Sequence, residues 1–157
     1  MNWLYEGKEI TELEDFPENT FGFVYQITHL PTGKKYIGKK QLVYTQKKRI
    51  GKKEKKRIKE EKKLRGERAI SPTFKYVKKE SDWKSYVGSN DEIKQLLEEG
   101  SISDFKREIL EFARNKKHQT YIETKLLFEK NVLTDDTYLN ENILGKFYRK
   151  DIINIKK

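Results

Sequence analysis

The clearest alternation of apolar and polar positions lies in the first third of the chain, between residues 22 and 40. Phe23, Tyr25 and Ile27 occupy every second position of its first half, a pattern typical of a β-strand. Residues 30–33 follow with turn chemistry, because proline fixes φ and glycine allows positive φ. A second β-rich run comes directly after the turn, so the pattern predicts a β-hairpin.

The register of this hairpin decides whether its two tyrosines are neighbours. If His29 pairs with Lys34, Tyr36 stands opposite Ile27 and therefore shares a face with Tyr25. A slip of one residue would place the two phenols on opposite faces of the sheet. We favour the register that puts the phenols side by side; the simpler interpretation is an ordinary hairpin with aromatic cross-strand packing.

The rest of the chain changes between strand and helix patterns. Strands are predicted at residues 73–77 and 105–112. Helices are predicted at residues 90–99, with Asn90 as the N-cap, and at residues 118–130, where apolar side chains form a wide stripe. This order predicts an α+β fold, in which helices pack on a small, mainly antiparallel sheet.

Basic residues are concentrated in one segment. The chain of 157 residues carries 35 Lys and Arg against 25 Asp and Glu, a net charge of +10, and residues 47–68 alone hold 13 Lys and Arg against 4 Glu. A basic chain of this size favours a polyanionic partner. The segment is either a solvated helix, a loop ordered on binding, or a surface that contacts phosphates. We favour phosphate contact, and the candidate residues are Lys39, Lys47, Lys48, Lys52, Lys53, Lys55, Lys56 and Arg57.

Composition excludes several chemistries. The chain has no cysteine, which rules out disulfides, zinc–thiolate sites and cysteine nucleophiles. Its two histidines, His29 and His118, are too isolated to build a histidine metal site, and we expect both at the surface. The first residues do not form a signal peptide, and no apolar run reaches membrane length. We therefore expect a soluble cytoplasmic protein that does not contact a membrane.

Four motifs along the chain resemble, in order, those of the GIY-YIG nuclease family. The first tripeptide is Phe23-Val24-Tyr25, which keeps only the tyrosine, and the second, Tyr36-Ile37-Gly38, is intact. Residues 90–111 resemble the family's central helix, glycine and third strand; Glu123 on a helix and asparagines within residues 140–143 follow. The chain looks most like the phage-encoded homing endonucleases of this family.

The resemblance implies a three-stranded antiparallel sheet flanked by helices, with a basic insertion. We expect one domain over residues 1–157, whose core spans about residues 22–143. Outside that core lie an N-terminal arm, residues 1–20, and a basic tail, residues 144–157, while the basic insertion is residues 47–68.

The resemblance also implies a metal-dependent DNA endonuclease. Glu123 would hold one divalent ion, and hard oxygen ligation suits Mg²⁺ or Mn²⁺. Tyr25 and Tyr36 would act as the general base or relay to it, although a phenol with its ordinary pKa of about 10 needs a nearby cation to do so. Either Arg49 or Lys40 would bind the scissile phosphate.

Two departures from the family pattern affect the site. Gln46 stands near the place of the family's essential arginine, which leaves the phosphate-binding residue open. Some members carry a histidine near residues 87–89, where Tyr86 or Ser89 could substitute here. Asn142, with its neighbour two residues earlier, would position metal-bound water or form the last turn of the sheet.

The expected partner is DNA, without a small-molecule cofactor, and the sequence leaves a monomer and a homodimer open. Another metal-dependent nuclease class is suggested by Glu123-Thr124-Lys125, but that motif belongs on a strand and the pattern here is helical. The alternative function is a catalytically inactive basic nucleic-acid-binding protein of the same fold.

Overall fold

The computed structural model describes residues 1–70 and 72–153. The regular elements in chain order are β1 (Trp3–Tyr5), β2 (Lys8–Ile10), β3 (Gly22–His29), β4 (Lys34–Gln41), β5 (Val43–Arg49), α1 (Lys52–Leu64), β6 (Phe74–Glu80), α2 (Asp91–Glu99), β7 (Phe105–Ala113), α3 (Lys116–Glu129), β8 (Asn142–Ile143), β9 (Phe147–Tyr148) and α4 (Arg149–Ile152). They form two compact units: the first unit is Met1–Leu42 with Asp82–Lys157, and the second unit is Val43–Ser81.

The first unit is built on a sheet with strand order β2-β1-β7-β3-β4. Strand β3 pairs antiparallel with both β4 and β7. In the β3–β4 hairpin, His29 pairs with Lys34 and Ile27 with Tyr36, which confirms the predicted register. Because side chains alternate between faces, Tyr25 and Tyr36 share a face, and their ring centroids are 6.4 Å apart.

The predicted antiparallel three-stranded sheet with flanking helices is confirmed, and two short strands from the expected N-terminal arm extend it. Strand β1 pairs parallel with β7, where Trp3 lies opposite Arg107, and β2 pairs antiparallel with β1. Trp3 is almost fully buried and makes edge contacts with the rings of Phe23 and Tyr25. Burial of this one large side chain anchors strands that are too short to show alternation in the sequence.

Both predicted helices of the first unit are confirmed, as is the cap predicted for the first of them. The Asn90 side chain accepts a hydrogen bond from the Ile93 amide at 3.1 Å, which begins α2. Helix α3 begins two residues earlier than predicted, because Asn115 accepts from the His118 amide at 2.8 Å. The inner face of α3 packs on the sheet within a buried apolar cluster, formed by Val24, Ile37, Ala113, Ile122, Leu127, Val132, Leu133, Tyr138 and Ile143.

The second unit is a two-stranded antiparallel ribbon, β5 with β6, and helix α1 lies between them in sequence. The strand predicted at residues 73–77 is confirmed and extends to Glu80. The basic segment, residues 47–68, is partly strand and partly helix. The ion pair between Lys75 of β6 and Glu54 of α1, at 2.7 Å, joins helix to ribbon.

The surface position expected for His29 is wrong. Its ring is buried, packs on Phe105 with centroids 5.0 Å apart, and its Nδ1 lies 2.7 Å from the Thr32 hydroxyl. In the basic tail, β8 pairs with β9 and α4 follows, while residues 154–157 of that prediction lie outside the described residues. Within residues 1–70 and 72–153, every helix is too short or too polar to cross a lipid bilayer.

Candidate active site

A cleft of about 450 Å³ opens beside β4, the edge strand of the sheet in the first unit. Its polar lining comes from β4, the start of α2, helix α3 and the segment leading into β8, and includes Tyr36, Lys39, Ser89, Asp91, Glu123, Asn140, Glu141 and Asn142. Residues 137–140 bond to this edge at Lys35 and Ile37, and the cleft lies beside them. The signature tyrosine, the candidate metal ligand and a cation therefore line one space.

The surroundings of Gly38 explain why the second tripeptide ends in glycine. It stands directly opposite Tyr25 in the β3–β4 ladder. A Cβ atom at position 38 would lie 2.5 Å from the Tyr25 hydroxyl and 2.7 Å from its ring carbon Cζ. The absence of a side chain thus lets the buried phenol of Tyr25 lie across the edge strand next to Tyr36.

Tyr25 is the inner phenol of the site. Burial raises the pKa of Tyr25 far above its ordinary value of 10.0, and the neighbouring Tyr86 and Tyr36 raise it further. Its ring lies 5.8 Å from the ring of Tyr86, measured between centroids. Lys40 sits 4.1 Å above the Tyr86 ring and is ion-paired with Asp82. Tyr25 is therefore a neutral hydrogen-bonding group in contact with Tyr86, and Lys40 contacts the Tyr86 ring.

Tyr36 is the phenol that lines the cleft. It is half-buried, and this burial raises its pKa above the ordinary value of 10.0. A hydrogen bond with Ser89 acts in the opposite direction, while the negative charge of Glu123 raises the pKa further. The residues suggested in place of the family's histidine thus lie beside the two phenols, Tyr86 at Tyr25 and Ser89 at Tyr36.

Glu123 projects from α3 into the cleft. Burial raises the pKa of this carboxyl above its ordinary value of 4.5, and the charge of Lys39 partly opposes the shift. Within residues 1–70 and 72–153, no side chain forms a hydrogen bond or an ion pair with the Glu123 carboxylate; the ion pair on this helix joins Lys125 to Glu129. A desolvated carboxylate without a counter-ion is costly, and a divalent cation would relieve that cost.

The donor set around Glu123 fits a single-carboxylate metal site. Among the described residues there is no group of three or more His, Cys, Asp or Glu side chains that could enclose an ion. Asp91 and Glu141 also line the cleft but are exposed, so Glu123 is the half-buried carboxylate that would hold the ion, with water and phosphate oxygens as further ligands. Mg²⁺ commonly keeps several waters and binds through one or two carboxylates, so the arrangement suits it.

The structure separates Lys39 from Arg49 and Lys40, the two cations considered for the scissile phosphate. Lys39 lines the cleft, and its Nζ donates to the Thr120 hydroxyl at 3.1 Å. Lys40 is engaged with Asp82 and is largely buried. Arg49 belongs to the second unit, where it ends β5 opposite Phe74, as do the basic candidates from Lys47 to Arg57. The first unit therefore offers Lys39 as the cation in the cleft.

Asn140, which the sequence suggested together with Asn142, makes a contact that the sequence did not reveal. Its side-chain oxygen accepts from the Ile37 amide at 3.1 Å, and its side-chain nitrogen donates to the Ile37 carbonyl at 2.9 Å. This amide replaces a neighbouring strand at the centre of the second tripeptide. Asn142 also lines the cleft, but it is exposed and its side chain accepts from the Gly145 amide at 2.9 Å. In the sequence, Asn140 differs from Asn142 in following the apolar pair Tyr138-Leu139 directly, and in the structure it is buried.

A model of the family described as "Putative endonuclease segE, GIY-YIG domain" matches residues 3–143. Searches of curated proteins and of solved structures returned no match. The matched range includes the hairpin with both tyrosines, α2, β7, Glu123 on α3 and the asparagine that closes the sheet edge. The chain therefore belongs to the GIY-YIG nuclease family.

Proposed function

We propose that this protein is a metal-dependent DNA endonuclease, which hydrolyses phosphodiester bonds at the cleft beside β4. The observation that carries the proposal is the placing of Tyr36, Lys39 and the unpaired carboxylate of Glu123 around one cleft. Phosphodiester hydrolysis needs a neutraliser for the phosphate, an activated water and assistance to the leaving oxygen. These three side chains have the chemistry for the first two requirements.

Glu123 would hold the divalent ion, with Mg²⁺ or Mn²⁺ as the expected species. The family is generally dependent on a divalent metal. When bound, such an ion neutralises developing charge on the phosphate and lowers the pKa of coordinated water. The role of Glu123 itself is to supply a desolvated anionic ligand, and its burial beside Leu127 keeps competing water partly away.

Tyr36 is the phenol placed to orient the attacking water and take its proton. In the protein without metal or DNA this phenol is neutral, because its pKa is raised. Positive charge from Lys39 and from a bound ion would move that pKa downward. Tyr25 is fully buried, so we assign it a positioning role: its ring lies between those of Tyr86 and Tyr36 and supports the Tyr36 ring.

Lys39 is the proposed ligand of the scissile phosphate, and Asn142 at the rim is a candidate contact to the substrate strand. The second unit would supply the remaining affinity for DNA. It carries 16 Lys and Arg against 5 Glu, which favours release of counter-ions from the phosphate backbone. We further propose that the enzyme is of the phage homing type and acts in the host cytoplasm.

Incubation of the full chain with supercoiled plasmid tests the proposed function. With Mg²⁺ we expect nicked or linear DNA, and with EDTA or with Glu123→Ala we expect the plasmid unchanged. A gel-shift measurement on the same samples identifies the alternative function: retention of DNA by wild-type protein, with no cleavage in Mg²⁺ or Mn²⁺, would make the protein an inactive binder.

A further inference from the structure

One face of the β5–β6 ribbon combines cations with exposed aromatic rings. Directly paired residues in an antiparallel ladder share a face, as do residues two positions apart. The cross-strand pairs Thr45–Lys78, Lys47–Tyr76 and Arg49–Phe74 therefore lie on the same side. We call this the ribbon face, and it consists of Thr45, Lys47, Arg49, Phe74, Tyr76 and Lys78.

The opposite side of the ribbon is the one that meets α1. Lys75 on that side forms the ion pair with Glu54, and Gln46 and Val77 are half-buried there. All six members of the ribbon face are exposed, including Tyr76 at 70% and Phe74 at 43%. The ribbon face is thus the open side of the second unit, and its two large rings lie in solvent.

Charge identifies the kind of partner that this face would accept. Its six residues include three cations, and Glu80, paired with Val43 at one end of the ribbon, is the carboxylate on the same side. Lys47 lies 4.1 Å above the Phe74 ring. A surface for another protein's apolar patch would leave these cations without partners, whereas a polyanion satisfies them. The aromatic rings between these cations offer apolar contact. Binding to phosphates alone does not require such contact, so the rings indicate a further contact with the partner.

We propose that the ribbon face enters the major groove of duplex DNA and determines which sequence the enzyme selects. This inference rests on the proposed function, since it takes DNA as the substrate. The major groove admits a two-stranded β-ribbon. Arginine and lysine there donate to guanine, threonine bonds either base edge, and an apolar ring contacts the thymine methyl group. Helix α1 presents mainly lysines to solvent and contacts phosphates.

Two triple variants with the same change in composition distinguish base recognition in the major groove from a general effect of lost positive charge. The ribbon-face variant is Lys47→Gln, Tyr76→Ala and Lys78→Gln. The control is Lys48→Gln, Tyr44→Ala and Lys79→Gln, which removes the same residue types from the same strands on the opposite side. Both are made in full-length Glu123→Gln protein, so that binding is measured without cleavage.

The measurement is enrichment of sequences from a pool of random-sequence duplexes, followed by the affinity ratio between an enriched and a random duplex. We expect the control to keep that ratio and the ribbon-face variant to lower it by about tenfold or more. Lys78→Gln alone, an exposed single change that leaves the fold intact, should relax preference at one or two base pairs.

Two outcomes would overturn the inference. In the first, both triple variants lose affinity equally while the ratio is unchanged, so that the face contacts only phosphates. In the second, wild-type protein enriches no sequence, or prefers single-stranded DNA or RNA through Tyr76. Neither outcome bears on cleavage, which the plasmid assay tests separately; a protein that selects sequences but does not cut would retain the ribbon face and lose the proposed activity.

Discussion

At the scale of single residues, the site depends on Gly38, which has no side chain, and on Glu123, whose carboxylate has no ion-pair partner among the described residues. Gly38 makes space for the Tyr25 phenol, and among the described residues no side chain forms a hydrogen bond or an ion pair with Glu123. Gly38 thereby sets the position of the Tyr25 ring. The partly buried charge of Glu123 costs free energy, and a bound cation would reduce that cost. Replacing Gly38 should therefore lower the stability of the protein. Replacing Glu123 should raise the stability of the metal-free protein and abolish cleavage.

Replacing Gly38 by alanine should destabilise the protein. The new Cβ would lie 2.5 Å from the Tyr25 hydroxyl, and the buried ring cannot move freely. We expect a loss of about 1–3 kcal/mol in the free energy of unfolding, measured in urea. Gly51→Ala is the control for added volume, since a Cβ there meets nothing within 4 Å. Gly51 is the N-cap of α1, where alanine itself costs stability, so only the loss at Gly38 beyond that of the control is assigned to Tyr25. Equal stability of Gly38→Ala and wild-type protein would show that the ring adapts.

Replacing Tyr36 by phenylalanine should slow cleavage without unfolding the protein. The change removes the hydroxyl that lines the cleft and keeps the ring packing. A general-base or relay role predicts a loss on the order of 10²-fold in single-turnover rate. Tyr25→Phe should lose less, because its hydroxyl is buried. If both variants cut at the wild-type rate, the two tyrosines are structural.

Glu123→Gln should stabilise the metal-free protein at neutral pH. Burial raises the folded-state pKa of Glu123 above 4.5, so the native state binds more protons than the unfolded state between these two values. Its contribution to stability therefore falls as pH rises through that window. In EDTA, urea unfolding should find the variant more stable at pH 7.5 and the difference smaller at pH 4. A pH-independent difference would contradict this account, and Glu129→Gln should show little change.

At the scale of elements, long alternating or capped segments were predictable and short or lysine-rich ones were not. The hairpin register followed from period-two alternation, and Asn90 gave the start of α2. Strands β1 and β2 have three residues each, too few to show a period. Strand β5 could not be predicted, because Lys47 and Lys48 interrupt any apolar alternation. Its stability comes from pairing with β6 rather than from its own composition.

Helix α1 should bind DNA through charge alone. Replacing Lys52, Lys53, Lys55 and Lys56 by Gln should weaken binding to all duplexes and flatten the dependence of log K on log salt, by about 0.9 for each lost phosphate contact. The cleavage site should not change. Four exposed lysines of the first unit, Lys8, Lys94, Lys116 and Lys130, form a control of equal charge. An unchanged salt slope with a shifted cleavage site would show that α1 reads sequence.

At the scale of the whole molecule, charge and chemistry are divided between the two units. The second unit holds 16 Lys and Arg against 5 Glu, whereas the rest of the chain holds 19 against 20. The nearly neutral first unit contains the cleft, so affinity and hydrolysis should be separable by mutation. The sequence motifs predicted Tyr36 and Glu123 in one site. They could not reveal Asn140 as the residue closing the sheet edge, because that role depends on contacts more than 100 residues apart.

The most direct test of this account is the single-turnover cleavage rate of Glu123→Gln in saturating Mg²⁺, with DNA affinity measured on the same preparation. Glu129→Gln, an exposed carboxylate on the same helix, is the control. We predict that Glu123→Gln binds DNA nearly as tightly as wild type and shows no detectable cleavage, while the control cuts normally. Cleavage by Glu123→Gln at the wild-type rate would contradict this prediction and remove Glu123 from the mechanism.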